Sequence, residues 1–153
     1  MKRFKYSLEN VLHYKEQILD SIKAEHGTLL AQIRKKEAEI QELENKLVSA
    51  QNKMDDLKKQ DVQIKDICLY GMYISEMEEN QIRKKQEQLK LLQQQEEKKK
   101  VQVIAAKIDT SRYEKLKDRR QSEYEKAAKK AQELFIEEYA SRTARYSQNR
   151  EVV

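Results

Sequence analysis

The chain has 153 residues, of which 39% are charged and 38% apolar, with no Pro, no Trp and only two Gly, Gly27 and Gly71. Proline breaks helix interiors and glycine weakens them, so almost nothing interrupts a helix, and the apolar share suits a narrow seam better than a thick globular core. The net charge of +5 comes from 32 basic and 27 acidic residues mixed along the chain, which argues against a nucleic-acid-binding arm and for a solvated helical surface laced with Glu–Lys pairs.

Two further classes are excluded by small counts. Cys68 is the single cysteine, so no internal disulfide can form and a reducing compartment is expected. No apolar run approaches the ~20 residues of a membrane span, and Met1-Lys2-Arg3-Phe4-Lys5-Tyr6 has no apolar segment behind it, unlike a secretory signal. The cytoplasm is the expected location.

From Leu8 a seven-residue frame runs unbroken. Alternating steps of four and three land on Leu8, Leu12, Lys15, Leu19, Ile22, His26, Leu29, Ile33, Lys36, Ile40, Leu43, Leu47, Ala50, Met54 and Leu57. Twelve of these fifteen are apolar, which is the pattern of a helix that hides one stripe against a partner helix. Ser7 is a candidate cap, and helix one is expected over about residues 4–58.

The frame degrades through Lys58-Lys59-Gln60-Asp61-Val62, where the bend is expected, with Asp61 as candidate N-cap of a second helix over about 63–148. Ile64, Ile67, Cys68, Tyr70, Met72, Tyr73, Ile74 and Met77 then form the densest apolar patch in the chain. The stripe resumes at Ile82, Leu89, Leu92, Val103, Ala106, Tyr113, Tyr124, Ala127, Ala131 and Leu134. Lys85, Glu96, Lys99, Thr110, Lys117 and Arg120 fill the other frame positions. With ten of sixteen apolar, this seam is weaker.

Neither stripe is stable in water alone, and a short bend makes each arm the nearest partner of the other. The expected fold is all-α: a single domain over 1–153 forming a long antiparallel two-helix coiled-coil hairpin, monomeric when free. A bend near residue 60 places position n opposite 121 minus n, Leu8 near Tyr113, and gives arms of about 80 Å at 1.5 Å per residue. A parallel dimer with a helix continuous through residue 60 is the competing arrangement.

That register leaves the last ~35 residues of arm two without a facing helix. Tyr113, Tyr124, Phe135 and Tyr146 recur there every eleven residues, a period of 3.67 per turn that keeps them on one face of an uncoiled helix. Arg119, Arg120, Arg142, Arg145 and Arg150 flank them, and Tyr139 lies close by. Aromatic and arginine side chains exposed on a helix anchor interfaces, so Arg119, Arg120, Tyr124, Phe135, Tyr139, Arg142 and Tyr146 are the candidate partner-binding residues. The competing reading has Phe4 and Tyr6 cover part of the stripe while the rest frays.

No chemistry is visible. His13 and His26 are thirteen apart with no partner at metal-ligand spacing, and His26 sits on a seam position, where a polar residue sets register. No glycine-rich phosphate loop exists, and Glu96-Glu97 and Glu137-Glu138 are adjacent pairs that diverge around a helix. The expectation is no enzyme activity, no cofactor, no metal and no nucleic-acid partner.

Three patches, in order, resemble the FliJ family of flagellar type III export proteins. They are Phe4-Lys-Tyr6-Ser-Leu8-Glu-Asn-Val11-Leu12 with Lys15-Glu16, then Tyr70-Gly-Met-Tyr73-Ile74-Ser-Glu-Met77 with Gln81-Ile82, then Tyr113-Glu-Lys115-Leu116-Lys117-Asp-Arg119-Arg120 with Tyr124 and the run from Phe135 to Arg142. Phe135-Ile136 departs from the more acidic tail usual in the family. The resemblance implies an antiparallel coiled coil, similar to a rotary ATPase central stalk, that enters the hexameric flagellar export ATPase and promotes its assembly. It also implies contact with the membrane export gate protein, escort of export chaperones, and a cytoplasmic place at the inner-membrane face of the flagellar base. In that picture Leu8 to Leu12 and Tyr113 to Tyr146 enter the ring, and the bend is free for the gate. The alternatives are a rotary proton-pumping ATPase stalk subunit and a generic coiled-coil scaffold.

Overall fold

A computed structural model describes residues 2–151. Three α-helices make up nearly all of it: α1 over Glu9–Lys58, α2 over Ile64–Glu76 and α3 over Arg83–Glu151, with a π-helical turn, Met77–Ile82, joining α2 to α3 without a break. No strand occurs among the described residues. The chain is an all-α helical hairpin, and its contacts divide into two compact units.

The unit over Leu19–Ala105 contains the bend. Tight turns close the end of α1: the amides of Lys59 and Gln60 donate to the carbonyls of Asp56 and Leu57, both at 3.2 Å, and the Val62 amide donates to Gln60 at 2.9 Å. The cap of α2 is Gln63, in extended conformation (φ −62°, ψ 135°) and without a side-chain capping bond. This corrects the assignment of Asp61, which lies two residues too early to reach the first free amides of a helix that starts at Ile64. The Gln63 carbonyl instead accepts from the Asp66 amide at 3.0 Å.

Beyond the bend the chain runs back antiparallel to α1. Lys99 pairs with Glu25 at 2.5 Å, Lys85 with Glu39 at 2.7 Å, and Gln51 donates to Glu78 at 3.4 Å. The Lys36 ammonium donates to Gln88 Oε1 at 3.1 Å. In the Glu25–Lys99, Lys36–Gln88 and Glu39–Lys85 pairs the two residue numbers add to 124, not 121. A bend centred near residue 61 and one residue absorbed in the π turn account for two of the three residues of this shift.

That turn has a visible cause. Ile67, Tyr70, Ile74 and Met77 follow the regular three-four steps, and Met77 is buried. The next buried residue is Ile82, a step of five. A π turn adds one residue to a helical turn, so it carries Ile82 back onto the seam that regular winding would have given to Gln81.

All fifteen frame positions of arm one are at least partly shielded from water, with Leu12, Ile33, Ile40 and Ala50 buried. Each buried Leu or Ile side chain contributes about 1.5–3 kcal/mol. Lys85, Glu96 and Lys99, the polar frame positions of arm two in this unit, each meet a partner on α1: Glu39, His26 and Glu25. His26 Nε2 lies 2.8 Å from Glu96 Oε1. A carboxylate only accepts, so Nε2 carries the proton.

The other unit joins Met1–Ile18 to Ala106–Val153. Here too α1 runs antiparallel to α3. Lys15 pairs with Asp109 at 2.6 Å and Lys117 with Glu9 at 2.8 Å, while buried Thr110 donates to the Ala106 carbonyl at 2.8 Å and approaches that of Lys15 at 3.4 Å. Residues 4–8, expected as the first turn of helix one, are not helical. The Glu9 amide donates to the Tyr6 carbonyl at 3.2 Å, and the preceding residues form a strap against α3.

Deleting Gln81 converts the step of five into the regular four, so the thermal midpoint is expected to stay unchanged or rise. Deleting exposed Gln94, inside the regular stripe, turns a step of four into three and should lower the midpoint by roughly 10 °C. Circular-dichroism melts of both variants check this.

Charge pairing also sets a pH window. The hydrogen bond from Lys85 holds the Glu39 carboxyl below its usual 4.5, and the bonds to Asp109 and Glu9 hold Lys15 and Lys117 above 10.5. The Glu39 contribution is complete above its unfolded value and lost as pH falls through the lowered folded one. The lysine contributions are complete below 10.5 and lost as pH rises through the raised ones. The melting midpoint should be flat near neutrality, and Glu39→Gln should shallow its fall between about pH 5 and pH 3.

Candidate functional site

The aromatic stripe of α3 lies within the Met1–Ile18/Ala106–Val153 unit, and the structure divides it in two. Its first half is occupied. Tyr6, buried, donates its hydroxyl to the Tyr113 carbonyl at 3.0 Å, and the Arg120 guanidinium carbon sits 5.8 Å from the Tyr6 ring centre. Arg120 also donates to the Ser7 hydroxyl at 2.8 Å. Phe4 packs on Tyr124 with ring centres 5.5 Å apart and planes tilted by 45°, a favourable offset for two aromatic quadrupoles. The Tyr124 hydroxyl donates to the Lys2 carbonyl.

The second half is bare. Phe135 is 70% exposed, Tyr139 69% and Tyr146 78%, with Leu134 and Ile136 also more than half open to water. From Lys129 to Glu151 every residue is exposed. The strap's contacts with α3 reach as far as Tyr124, and among the described residues none packs against the later turns of α3.

The seven candidate residues therefore fall into three environments. Arg120 and Tyr124 are engaged by the strap. Arg119 lies on the open side of α3, pairing with Glu123 at 3.2 Å one turn along. Phe135, Tyr139, Arg142 and Tyr146 are exposed, and they alone form a free aromatic and cationic face. Sequence reasoning anticipated Phe4 and Tyr6 as a cover but missed Lys2 and Ser7, whose contacts use a backbone carbonyl and a hydroxyl that no periodicity reveals.

A second exposed surface lies on the Leu19–Ala105 unit. Ile64 is 78% exposed and Met72 70%, and Leu69 and Tyr73 are also open. A shallow groove beside them is lined by Lys46, Ala50, Lys53, Leu69, Tyr70 and Tyr73. Of the dense apolar patch, only Met77 is buried, while Ile67, Tyr70 and Ile74 are half-buried. Among the described residues no three His, Cys, Asp or Glu side chains gather as metal ligands, and no helix is long and apolar enough to cross a membrane.

Tyr6 is the strap's anchor, so Tyr6→Ala should cost about 2 kcal/mol in urea unfolding and speed tryptic cleavage after Arg3 and Lys5. Tyr14→Ala, at a side chain 60% exposed, should change neither.

Neither a curated protein nor a solved structure matches the chain. A family model described as "Flagellar FliJ protein" matches residues 4–149, from Phe4 of the strap through the paired seam to the bare aromatic face. That match takes in almost every described residue, and the chain belongs to the FliJ family of flagellar export components.

Proposed function

We propose that this protein acts as a non-catalytic central stalk of the hexameric flagellar export ATPase, promotes its assembly, links it to the membrane export gate and escorts export chaperones. Family membership supplies the apparatus. The observation that carries the ATPase assignment is the bare face of Phe135, Tyr139, Arg142 and Tyr146 on a helix whose stripe is paired only as far as Tyr124. Large aromatic side chains held in water at 69–78% exposure cost free energy that a partner surface would recover, and aromatic and arginine residues are the usual anchors of such interfaces.

A stalk works by stiffness and by presenting different faces to different subunits. The paired seam supports the first requirement. The second is supported by α3, where Leu134, Phe135, Ile136 and Tyr139 are exposed beside the acidic Glu137 and Glu138. The exposed Ile64, Leu69, Met72 and Tyr73 surface at the bend is the proposed contact for the export gate, since it is apolar, uncovered and carried by the other unit. With these partners the protein would work at the cytoplasmic face of the inner membrane, at the flagellar base. Nucleic acid is not a proposed partner: the basic residues are interleaved with acidic ones along every helix.

The double variant Phe135→Ala with Tyr139→Ala removes only exposed side chains, so helicity and melting should be nearly unchanged while stimulation of the cognate hexameric ATPase is lost. Full stimulation by the double variant would remove the stalk assignment.

A further inference from the structure

The occupied and bare halves of the α3 stripe are built from the same cassette. Tyr113, Arg120 and Tyr124 hold the strap, and Phe135, Arg142 and Tyr146 stand 22 residues further on, in the same order and at the same spacing. Twenty-two residues are two of the eleven-residue repeats, about six turns at 3.67 per turn, so the second trio returns to the same face of the helix. Lys117, which reaches Glu9 in the first cassette, is matched by Tyr139 in the second.

The first cassette shows what such a trio binds. Its occupant is a non-helical segment with two aromatics two residues apart, Phe4-Lys5-Tyr6. The tyrosine of that segment lies under the arginine and donates to the carbonyl of the first aromatic, and its phenylalanine packs on the last tyrosine. The hydroxyl of the last tyrosine then donates to the segment's backbone. The second cassette keeps each element: the Phe135 carbonyl, the Arg142 guanidinium, and the Tyr146 ring and hydroxyl. Phe135 and Tyr146 are 70% and 78% exposed, and Arg142 is exposed.

We propose that Phe135, Arg142 and Tyr146 form a binding site for a non-helical partner peptide carrying two aromatic residues two positions apart, chemically a copy of the strap. The site continues an interface the chain already makes with itself, and Tyr139 supplies apolar contact where the start of α1 is missing. This names the ligand chemistry of the docking face proposed above and rests on that reading. The strap gains from being tethered, whereas a free segment lacks that effective concentration, so a short peptide binds weakly and a larger partner must add contacts of its own.

The test is an NMR titration of the full chain with a peptide of the strap sequence, residues 2–8, up to ~2 mM, the range set by typical tether concentrations. A control peptide has both aromatics replaced by Ala and the same charge. Saturable shifts confined to residues 135–146, at least tenfold weaker with the control peptide and in Arg142→Ala or Tyr146→Leu, support the site; Arg120→Ala leaves it intact. No shifts, shifts only at 113–124, or equal binding of the control peptide would overturn it. The ATPase is not needed, so this outcome is read separately from the stalk assignment.

Discussion

Everything in this protein depends on a seam only one or two side chains wide that must stay covered along two helices of unequal length. A globular core shares burial among many neighbours, whereas here each frame residue has partners on one facing helix alone. Among the described residues no large side chain is fully buried, and the best-covered ones, such as Leu12 at 4% and Met77 at 2% exposure, are spread along the seam. Stability is therefore distributed, and register is its organising variable: a slip of one residue rotates every later position off the seam at once.

Register is held by the polar positions. Lys85, Glu96, Lys99, Thr110, Lys117 and Arg120 interrupt the apolar stripe of the second arm, and each meets an acidic, imidazole, hydroxyl or carbonyl partner on the first. Half-exposed ion pairs add little stability, because solvent screens them and the side chains lose freedom. Their effect is on alternatives. In a slipped hairpin these groups would face aliphatic side chains and lose their partners, which is costly even for partly buried charge. The seam thus trades some burial for a single alignment, and the π turn serves the same end.

The hairpin is legible in the residues because a seven-residue period survives all fifteen frame positions of the first arm, from Leu8 to Leu57, and every one of them is shielded. The step of five from Met77 to Ile82 is equally present in the residues. A frame restarted at Ile82, and not carried through from Met77, hides it. Asp61 looks like a cap by residue type, yet cap position depends on where the chain leaves the turn, and backbone bonds at Gln60 and Gln63 decide that. The strap is the least legible element: seven residues without period, whose geometry depends on Tyr113, Arg120 and Tyr124 more than a hundred positions away.

The strap also explains why the bare face begins where it does. An eleven-residue aromatic period on an uncoiled helix offers the same surface again and again, and nothing local distinguishes Tyr124 from Phe135. The distinction is made by the strap: Phe4 covers Tyr124, whereas no described residue covers Phe135, so a similar face changes there from paired to bare. Packing Phe4 on Tyr124 makes that boundary sharp, by ending the intramolecular interface on an aromatic pair and leaving Phe135 as the first exposed ring of the stripe.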